Sequence, residues 1–326
     1  MPATLLTVLP IGGLLLKNGT LTPEKFVLIV ILSMGLITPI IGCMKFTDDL
    51  ARVGTVIGQV TDILTAPELP RPEKDLQTPR DSTVALRGVR FGYNDTEVLH
   101  GMDLTFREGT VNALVGPSGS GKSTIAKLIA SFWEVNEGSI TVGGADIRSI
   151  SSEHYNKLVA YVSQDNFLLD NTVRENIRMG RPDVTDAEVE QAARDCGCHD
   201  FIMKLPQGYE TVIGEGGGTL SGGERQRISI ARAMMKDAPI IMLDEATANV
   251  DPENEKELME AVSELTKEKT VIMIAHRLNT VRHADQILAV DKGQVVQRGT
   301  HDERMAQDGL YRRFVKGRER AVGWKR

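Results

Sequence analysis

The stretch Gly116-Pro-Ser-Gly-Ser-Gly-Lys-Ser123 is the strongest indication of the fold, because it has the spacing G-x-x-x-x-G-K-S of a phosphate-binding loop. Glycines let backbone N–H groups turn inward around phosphate oxygens. Lys122 would add a cation for the outer phosphates, and the Ser123 hydroxyl could bind Mg²⁺. The apolar run 111–115 predicts a strand before the loop, and residues 124–131 predict a helix after it. This order predicts a nucleotide-binding α/β fold, and alone it leaves kinases, GTPases and motor ATPases open.

A second apolar run, at residues 239–243, ends in two acids, Asp244 and Glu245. A strand buried on both faces has a continuous apolar sequence, and α/β folds bind ligands at the carboxyl ends of their strands. We therefore expect Asp244 to hold Mg²⁺, directly or through water, and Glu245 to polarise an attacking water. A third strand is predicted at residues 270–275 and a helix at residues 186–203, which together favour an α/β sheet.

The first 82 residues contain apolar runs, a mixed segment and a proline-rich segment. Apolar runs occupy residues 5–16 and 26–44. The second run carries no charge and has the length of about 20 residues that crosses a bilayer, although a buried core helix is the weaker alternative. Residues 45–64 could continue it as a helix. Four prolines within residues 65–82 exclude a continuous helix or strand and predict a linker.

Composition limits the classes of partner. The net charge is −6 and aromatic residues make up 5%, so neither a basic footprint nor a base-stacking surface for nucleic acid is expected. Three cysteines argue against a disulfide framework and fit a reducing compartment. After the linker, residues 83–91 and 98–106 alternate in polarity and predict antiparallel strands.

The segment Leu220-Ser-Gly-Gly-Glu-Arg-Gln-Arg227 is predicted to open a helix that runs to about Met235. Serine before two glycines at a helix start forms an anion site. The segment resembles the LSGGQ signature of ABC transporters, with Glu224 where glutamine is commonest. From about residue 82 to 316 the chain resembles the ATPase of that family, with its motifs in order.

The resemblance implies further site residues. Tyr93 resembles the aromatic residue that stacks on adenine, with a tyrosine at the edge of the core as the competing interpretation. Gln164 looks like the glutamine that contacts Mg²⁺, and His276 like the histidine that bonds the γ-phosphate. Residues 246–251 resemble the D-loop, which ends here at Asp251. The implied catalytic residues are Glu245 and His276. The implied Mg²⁺ ligands are Ser123, Gln164 and Asp244. The implied nucleotide contacts are Tyr93, Gly116, Ser118, Gly119, Gly121, Lys122, Ser123, Thr124, Gln164, Ser221, Gly222, Gly223, Glu224 and Asp251.

The same resemblance implies an exporter-type half-transporter subunit, apparently truncated at its N-terminus. Residues 211–217 resemble a short segment found in ABC exporters, and a membrane span fused to the ATPase is an exporter trait. The first implied domain is a partial all-α transmembrane region at 1–64, which resembles the fifth-to-sixth-helix hairpin and has its main span at 26–44. A linker follows at 65–82. The implied ATPase domain, at 83–318, is an α/β P-loop fold with antiparallel β and helical subdomains, and a basic tail occupies 319–326.

In this family two ATPase domains meet head to tail, so that ATP lies between Lys122 of one chain and Ser221 of the other. The implied cofactors are ATP and Mg²⁺. The implied partners are a second half-transporter subunit, identical or different, the lipid bilayer, and a small-molecule, lipid or peptide cargo. We expect a multi-pass protein of the cell membrane with its ATPase domain in the cytoplasm.

Three alternatives stay open at this point. The first is a soluble ABC ATPase that remodels nucleic acid or ribosomes, against which the run 26–44 and the exporter-like residues 214 and 215 count. The second is a fragment that binds a partner chain without transport, and the third is siderophore or metal import by an exporter fold. Because half-subunits of the family have six membrane helices, we also expect that the 326 residues cannot transport by themselves.

Overall fold

The computed structural model describes residues 3–323, except for residues 67, 95, 245–254 and 276–280. The chain divides into two compact units, Met1–Glu68 and Leu69–Arg326. The first unit is a helical hairpin of α1 (Ala3–Lys17) and α2 (Pro23–Leu64), so the predicted helical continuation to residue 64 is confirmed. No helix in the described parts of the chain combines the length and the hydropathy needed to cross a membrane.

Local sequence explains how the hairpin forms. Thr22 precedes α2 in an extended conformation, and Pro23 takes the first helical position, where its missing N–H costs no hydrogen bond. Gly12 of α1 lies directly against the ring of Phe26 of α2, since a Cβ atom there would come within 2.3 Å of that ring. A glycine at this position therefore lets the two helices approach closely.

The second unit is built on two sheets. Its strands are β1 (Val84–Tyr93), β2 (Thr96–Phe106), β3 (Val111–Val115), β4 (Glu137–Val142), β5 (Ala145–Asp146), β6 (Val159–Val162), β7 (Ile240–Asp244), β8 (Thr270–Ile274), β9 (Gln286–Asp291) and β10 (Gln294–Gly299). One sheet is antiparallel, in the order β2-β1-β4-β5. The other has the order β10-β9-β3-β8-β7-β6 and is parallel except between β9 and β10. The predicted antiparallel pair and the three predicted α/β strands are confirmed.

The larger sheet is buried on both faces, which explains its continuous apolar strands. Leu114 of β3 packs into a cluster with the antiparallel sheet and the helix that follows the phosphate loop. Its neighbours Ala113 and Val115 belong to a second cluster, formed with the remaining helices. Successive strand residues thus point to opposite layers.

Helices cover both faces of this sheet. They are α3 (Lys122–Ile129), α4 (Ser152–Leu158), α5 (Val173–Arg178), α6 (Asp186–Asp195), α7 (His199–Ile202), α8 (Gly222–Lys236), α9 (Glu255–Leu265), α10 (His301–Ala306) and α11 (Leu310–Gly323). The last helix runs into the segment predicted as a basic tail, 319–326.

The prediction of one helix over residues 186–203 is wrong. α6 ends at Asp195, Gly197 has a left-handed backbone with φ of 63°, and α7 starts at His199. Glycine adopts this conformation without steric cost and commonly ends helices. The described residues between α2 and β1 form neither helix nor strand, so the predicted absence of a continuous element over residues 65–82 is confirmed for them.

Candidate nucleotide-binding site

The phosphate loop joins the end of β3 to the start of α3, and two glycines determine its path. A Cβ atom at Gly116, where φ is 151°, would lie 2.1 Å from the carbonyl oxygen of Val290 in β9. Gly121 has φ of 101° and immediately precedes α3. Gly119, with φ of 75°, has open space where its Cβ would be. The loop is therefore tight against the sheet on one side and open at Gly119.

Lys122 is 6% exposed and its side chain turns back along the loop. Its ammonium group donates hydrogen bonds to the carbonyl oxygens of Gly116, at 3.1 Å, and Pro117, at 2.7 Å. A third bond, of 3.3 Å, goes to the Ser120 hydroxyl. The positive charge is thus held at the loop itself, next to the start of α3, where the helix dipole also favours an anion.

A cavity of about 310 Å³ lies at the loop, a volume within the range of small-molecule sites. Its lining residues are Tyr93, Val98, Ser118, Gly119, Ser120, Gly121, Lys122, Ser123 and Thr124. The Tyr93 ring is held edge-on by Phe91, with ring centroids 5.0 Å apart, and by Trp133, at 5.4 Å. An aromatic side chain and a glycine-rich anion site therefore border one cavity, which fits a nucleotide with a base and phosphates.

Asp244, the last residue of β7, lies beside the start of α3. The Ser123 hydroxyl donates to its Oδ1 atom at 3.4 Å, and the Tyr161 hydroxyl donates to its Oδ2 atom at 2.9 Å. Burial, and secondly the Asp244 carboxylate, raises the pKa of Tyr161 well above its usual value, so this phenol stays a donor. A hydroxyl and a carboxylate at the edge of the sheet are the hard oxygen donors that suit Mg²⁺.

The structure unites only part of the predicted set. It brings together Tyr93, residues 118–124 and Asp244. Gly116 lies where the loop packs against β9. Gln164 is exposed in the loop after β6, and it does not line the cavity. Glu245, Asp251 and His276 lie outside the described residues.

The signature segment forms a separate helix start. Ser221 caps α8: the backbone N–H of Glu224 donates to its hydroxyl at 3.3 Å, and its own N–H donates to the Glu224 carboxylate at 2.8 Å. Ser221 is exposed, Gly222 and Glu224 are half-buried and Gly223 is buried. None of the four lines the cavity at the phosphate loop. Within one chain, the signature residues are thus free to face a different ligand.

Sequence reasoning missed two residues that support the site. Tyr161 belongs to β6 and was hidden in an apolar run, and Trp133 follows α3 without any motif of its own. Their contacts with Asp244 and Tyr93 cross 83 and 40 positions of the chain. The only sequence signal was the presence of large aromatic residues in a chain that has few.

Residues 99–248 match the family model described as ABC transporter, and this range contains the phosphate loop, the signature segment and Asp244. The chain contains the ATPase domain of the ABC transporter family. ATPase domains of ABC transporters bind ATP with Mg²⁺ and hydrolyse it.

Curated relatives of the chain are named as transport proteins. It is 48% identical over 252 residues to the mycobactin import ATP-binding/permease protein IrtA of Mycobacterium tuberculosis, which covers 77% of the chain and 29% of that relative. It is 41% identical over 310 residues to the ATP-dependent lipid A-core flippase of Syntrophus aciditrophicus, which covers 92% of the chain and 50% of that relative. The chain thus spans no more than half the length of either relative.

A solved structure has the same fold. A bacterial Atm1-family ABC exporter with ATP bound is 36% identical and superposes with a TM-score of 0.74, over 82% of this chain and 47% of that one. The ABC ATPase fold, with its antiparallel sheet and helical parts, and the exporter type of its relatives agree with the predictions from the motifs.

Proposed function

We propose that this chain is the ATP-hydrolysing subunit of an exporter-type transporter, in which a head-to-tail dimer couples hydrolysis to movement of a solute across a membrane. The observation that carries the proposal is the cavity at the phosphate loop. Tyr93 borders it at one side, and Ser123 places its hydroxyl 3.4 Å from the Asp244 carboxylate.

Each described residue would have one role there. Backbone N–H groups of the loop and the Lys122 ammonium bind the phosphates, because both already concentrate positive charge at that place. Tyr93 stacks on the base, held by its two aromatic neighbours. Ser123 and Asp244 hold Mg²⁺, which, when bound, neutralises negative charge on the phosphate oxygens. Tyr161 keeps the Asp244 carboxylate oriented.

Four further residues complete the proposed site on the strength of the family resemblance. Glu245, directly after Asp244, would take a proton from the attacking water. His276 would bond the γ-phosphate and Gln164 would contact Mg²⁺. Asp251, at the end of the segment that resembles the D-loop, would contact the nucleotide.

The dimer is proposed because one chain offers two anion sites in different places. Residues 116–124 border the cavity, whereas the capped helix start at Ser221 does not. In a head-to-tail pair, the signature residues of one subunit would contact the nucleotide that the other subunit holds. These residues are Ser221, Gly222, Gly223 and Glu224. The second subunit is a half-transporter, identical or different.

The membrane part of the proposal rests on the hairpin of the first unit and on the relatives. Residues 1–64 would be a partial transmembrane domain with its main span at 26–44, followed by the linker 65–82, the ATPase domain 83–318 and the tail 319–326. The uncharged run at 26–44 supports this, as do relatives named as a permease, a flippase and an exporter. The protein would be multi-pass in the cell membrane, with the ATPase domain in the cytoplasm and a small-molecule, lipid or peptide cargo.

A second candidate is uptake of a siderophore. The 48% identity to a mycobactin import protein favours it, although that identity covers only 29% of the relative. The two candidates share the same ATPase chemistry and differ in the direction of transport.

Substitution Glu245→Gln tests the proposed chemistry. We expect ATP to bind as before and turnover to fall by roughly 10²–10⁴-fold, because a general base is removed and the shape of the side chain is kept. The measurements are phosphate release and retention of radiolabelled ATP by the purified chain. Turnover close to that of the unmodified chain would place the base elsewhere.

A further inference from the structure

We propose that Arg71 is a positioning residue for the nucleotide site, and that it acts through the turn 131–133 on both the base end and the metal end. The proposal rests on the proposed roles of Tyr93 and Asp244. Arg71 belongs to the proline-containing segment that precedes β1, far in sequence from every motif of the site.

This segment, residues 69–81, is held against the rest of the second unit by hydrogen bonds. The Leu76 N–H donates to the carbonyl oxygen of Ser149 at 2.8 Å. The Asp75 carboxylate accepts from the Ser151 N–H at 2.8 Å, and its other oxygen bonds the His154 ring. These bonds lower the pKa of Asp75 to about 2, so it is ionised under ordinary conditions. The segment therefore has a defined position from which a side chain can act.

Arg71 uses that position to hold the end of α3. Its guanidinium donates one hydrogen bond to the Ser131 hydroxyl and another to the carbonyl oxygen of Ile147. It also lies over the Tyr155 ring, 5.7 Å from the centroid, and the Tyr155 hydroxyl donates to the carbonyl oxygen of Ile129 in α3. Arg71 thus connects directly to the residues that end the helix of the phosphate loop.

The turn held by Arg71 carries two aromatic side chains toward the site. Trp133 packs edge-on against Tyr93, with ring centroids 5.4 Å apart. Phe132 packs edge-on against Tyr161, at 5.3 Å, and Tyr161 donates to Asp244. Phe132 and Trp133 are 55% and 49% exposed, so burial alone does not fix them.

The backbone of the turn gives a reason why it needs an anchor. Ser131 has φ of 60°, a left-handed conformation that is uncommon outside glycine. Its N–H already bonds the carbonyl oxygen of Leu128 at 3.0 Å, and its hydroxyl accepts from Arg71. Loss of the guanidinium would release the hydroxyl and allow the two rings to move away from Tyr93 and Tyr161.

The test separates the two ends of the site by two readouts on the purified full chain. The first is the ratio of affinities for ATP and for inorganic tripolyphosphate, which has no base. The second is the Mg²⁺ concentration that gives half-maximal ATP hydrolysis. Edge-on aromatic contacts are weak, so we expect changes of about 3–10-fold.

We expect Trp133→Leu to lower only the preference for ATP over tripolyphosphate, and Phe132→Leu to raise only the Mg²⁺ requirement. Arg71→Ala should do both. Ser131→Gly should do the same, since glycine removes the hydroxyl but suits the left-handed backbone. The matched control is Arg80→Ala in the same segment, where only the backbone N–H makes an anchoring bond; it should change neither readout.

The proposal would be overturned if Arg71→Ala and Ser131→Gly, like Arg80→Ala, left both the affinity ratio and the Mg²⁺ requirement unchanged. An equal loss of affinity for ATP and tripolyphosphate, with an unchanged Mg²⁺ requirement, would also overturn it and assign Arg71 to general stability. If the unmodified chain binds no ATP, the proposed function fails instead, so the two failures are distinguishable.

Discussion

Asp244 shows how one side chain connects sheet, loop and metal chemistry. It is only 6% exposed, yet it accepts a hydrogen bond on each carboxylate oxygen, from Ser123 and from Tyr161. A buried carboxylate requires such donors, because burial without partners would disfavour its charge. Both oxygens keep lone pairs, so a cation can still be bound.

We predict that Asp244→Asn lowers ATP hydrolysis by at least about 10²-fold, since a metal contributes several kcal/mol to charge stabilisation. Asparagine keeps the shape but removes the negative charge that attracts Mg²⁺. Nucleotide binding without Mg²⁺ should persist. The matched control is Asp170→Asn, at an exposed position, which should leave turnover unchanged. Equal turnover and an equal Mg²⁺ requirement in both variants would remove Asp244 from the site.

Gly116 provides a second prediction at the scale of the residue. Gly116→Ala would place a Cβ 2.1 Å from the Val290 carbonyl oxygen, so the loop must shift or the protein must lose stability, by about 1–3 kcal/mol or more. Gly109→Ala is the control, because Gly109 has φ of 66° but open space around it, and should cost only about 1 kcal/mol. Denaturant unfolding of both variants measures the difference. Similar losses would mean that the contact with β9 is not tight.

At the scale of the element, α6 and α8 begin with the same capping arrangement. In α6 the Glu188 N–H donates to the Thr185 hydroxyl at 3.4 Å, and the Thr185 N–H donates to the Glu188 carboxylate at 2.8 Å. In α8, Ser221 and Glu224 make the equivalent pair at 3.3 and 2.8 Å. Only the start of α8 has two glycines after the cap, which let an anion approach its backbone N–H groups.

Removal of the capping side chain from each of these two helices separates helix capping from nucleotide binding. Thr185→Ala and Ser221→Ala should each cost about 1 kcal/mol of stability, because each removes one capping acceptor. Only Ser221→Ala should also lower ATP turnover, by at least about tenfold, since a lost hydrogen bond to a charged group is worth about 1.5–3 kcal/mol. Thermal unfolding and phosphate release are measured on both. Equal turnover in the two variants would reduce the signature serine to a helix cap.

Much of the fold was predictable from the sequence, since its signals are local. The strand 111–115 is predicted to the residue, because an apolar run ends at a glycine-rich loop. The helix over 186–203 was predicted too long, because a single glycine, Gly197, breaks it without changing the polarity pattern. Helical periodicity counts apolar positions and takes no account of a left-handed backbone.

The candidate site was predictable only where a motif marks it. Lys122, Ser123 and Asp244 follow from spacing, and the structure brings them together. Tyr161, Trp133 and Arg71 do not, because each acts through a neighbour distant in sequence. A contact between side chains on different elements leaves no periodic trace in one sequence.

At the scale of the whole molecule, the described site residues all lie in the second unit. Its two sheets are joined near the site, where the His100 N–H of β2 donates to the Gly293 carbonyl oxygen between β9 and β10 at 3.2 Å. The base end of the cavity belongs to the antiparallel sheet, through Tyr93, and the phosphate end to the larger sheet, through β3. A nucleotide in this cavity would therefore contact both sheets of the second unit.

Mixing two impaired variants tests whether the nucleotide site is shared between two subunits. Lys122→Ala damages the phosphate loop and Ser221→Ala damages the signature segment, so in a dimer of either variant alone both sites are damaged. A mixed dimer carries both lesions in one site and none in the other. Random pairing of equal amounts should then restore about a quarter of the original phosphate release if the sites are independent. No recovery, with mixed dimers demonstrated by differently tagged subunits, would contradict the shared head-to-tail site.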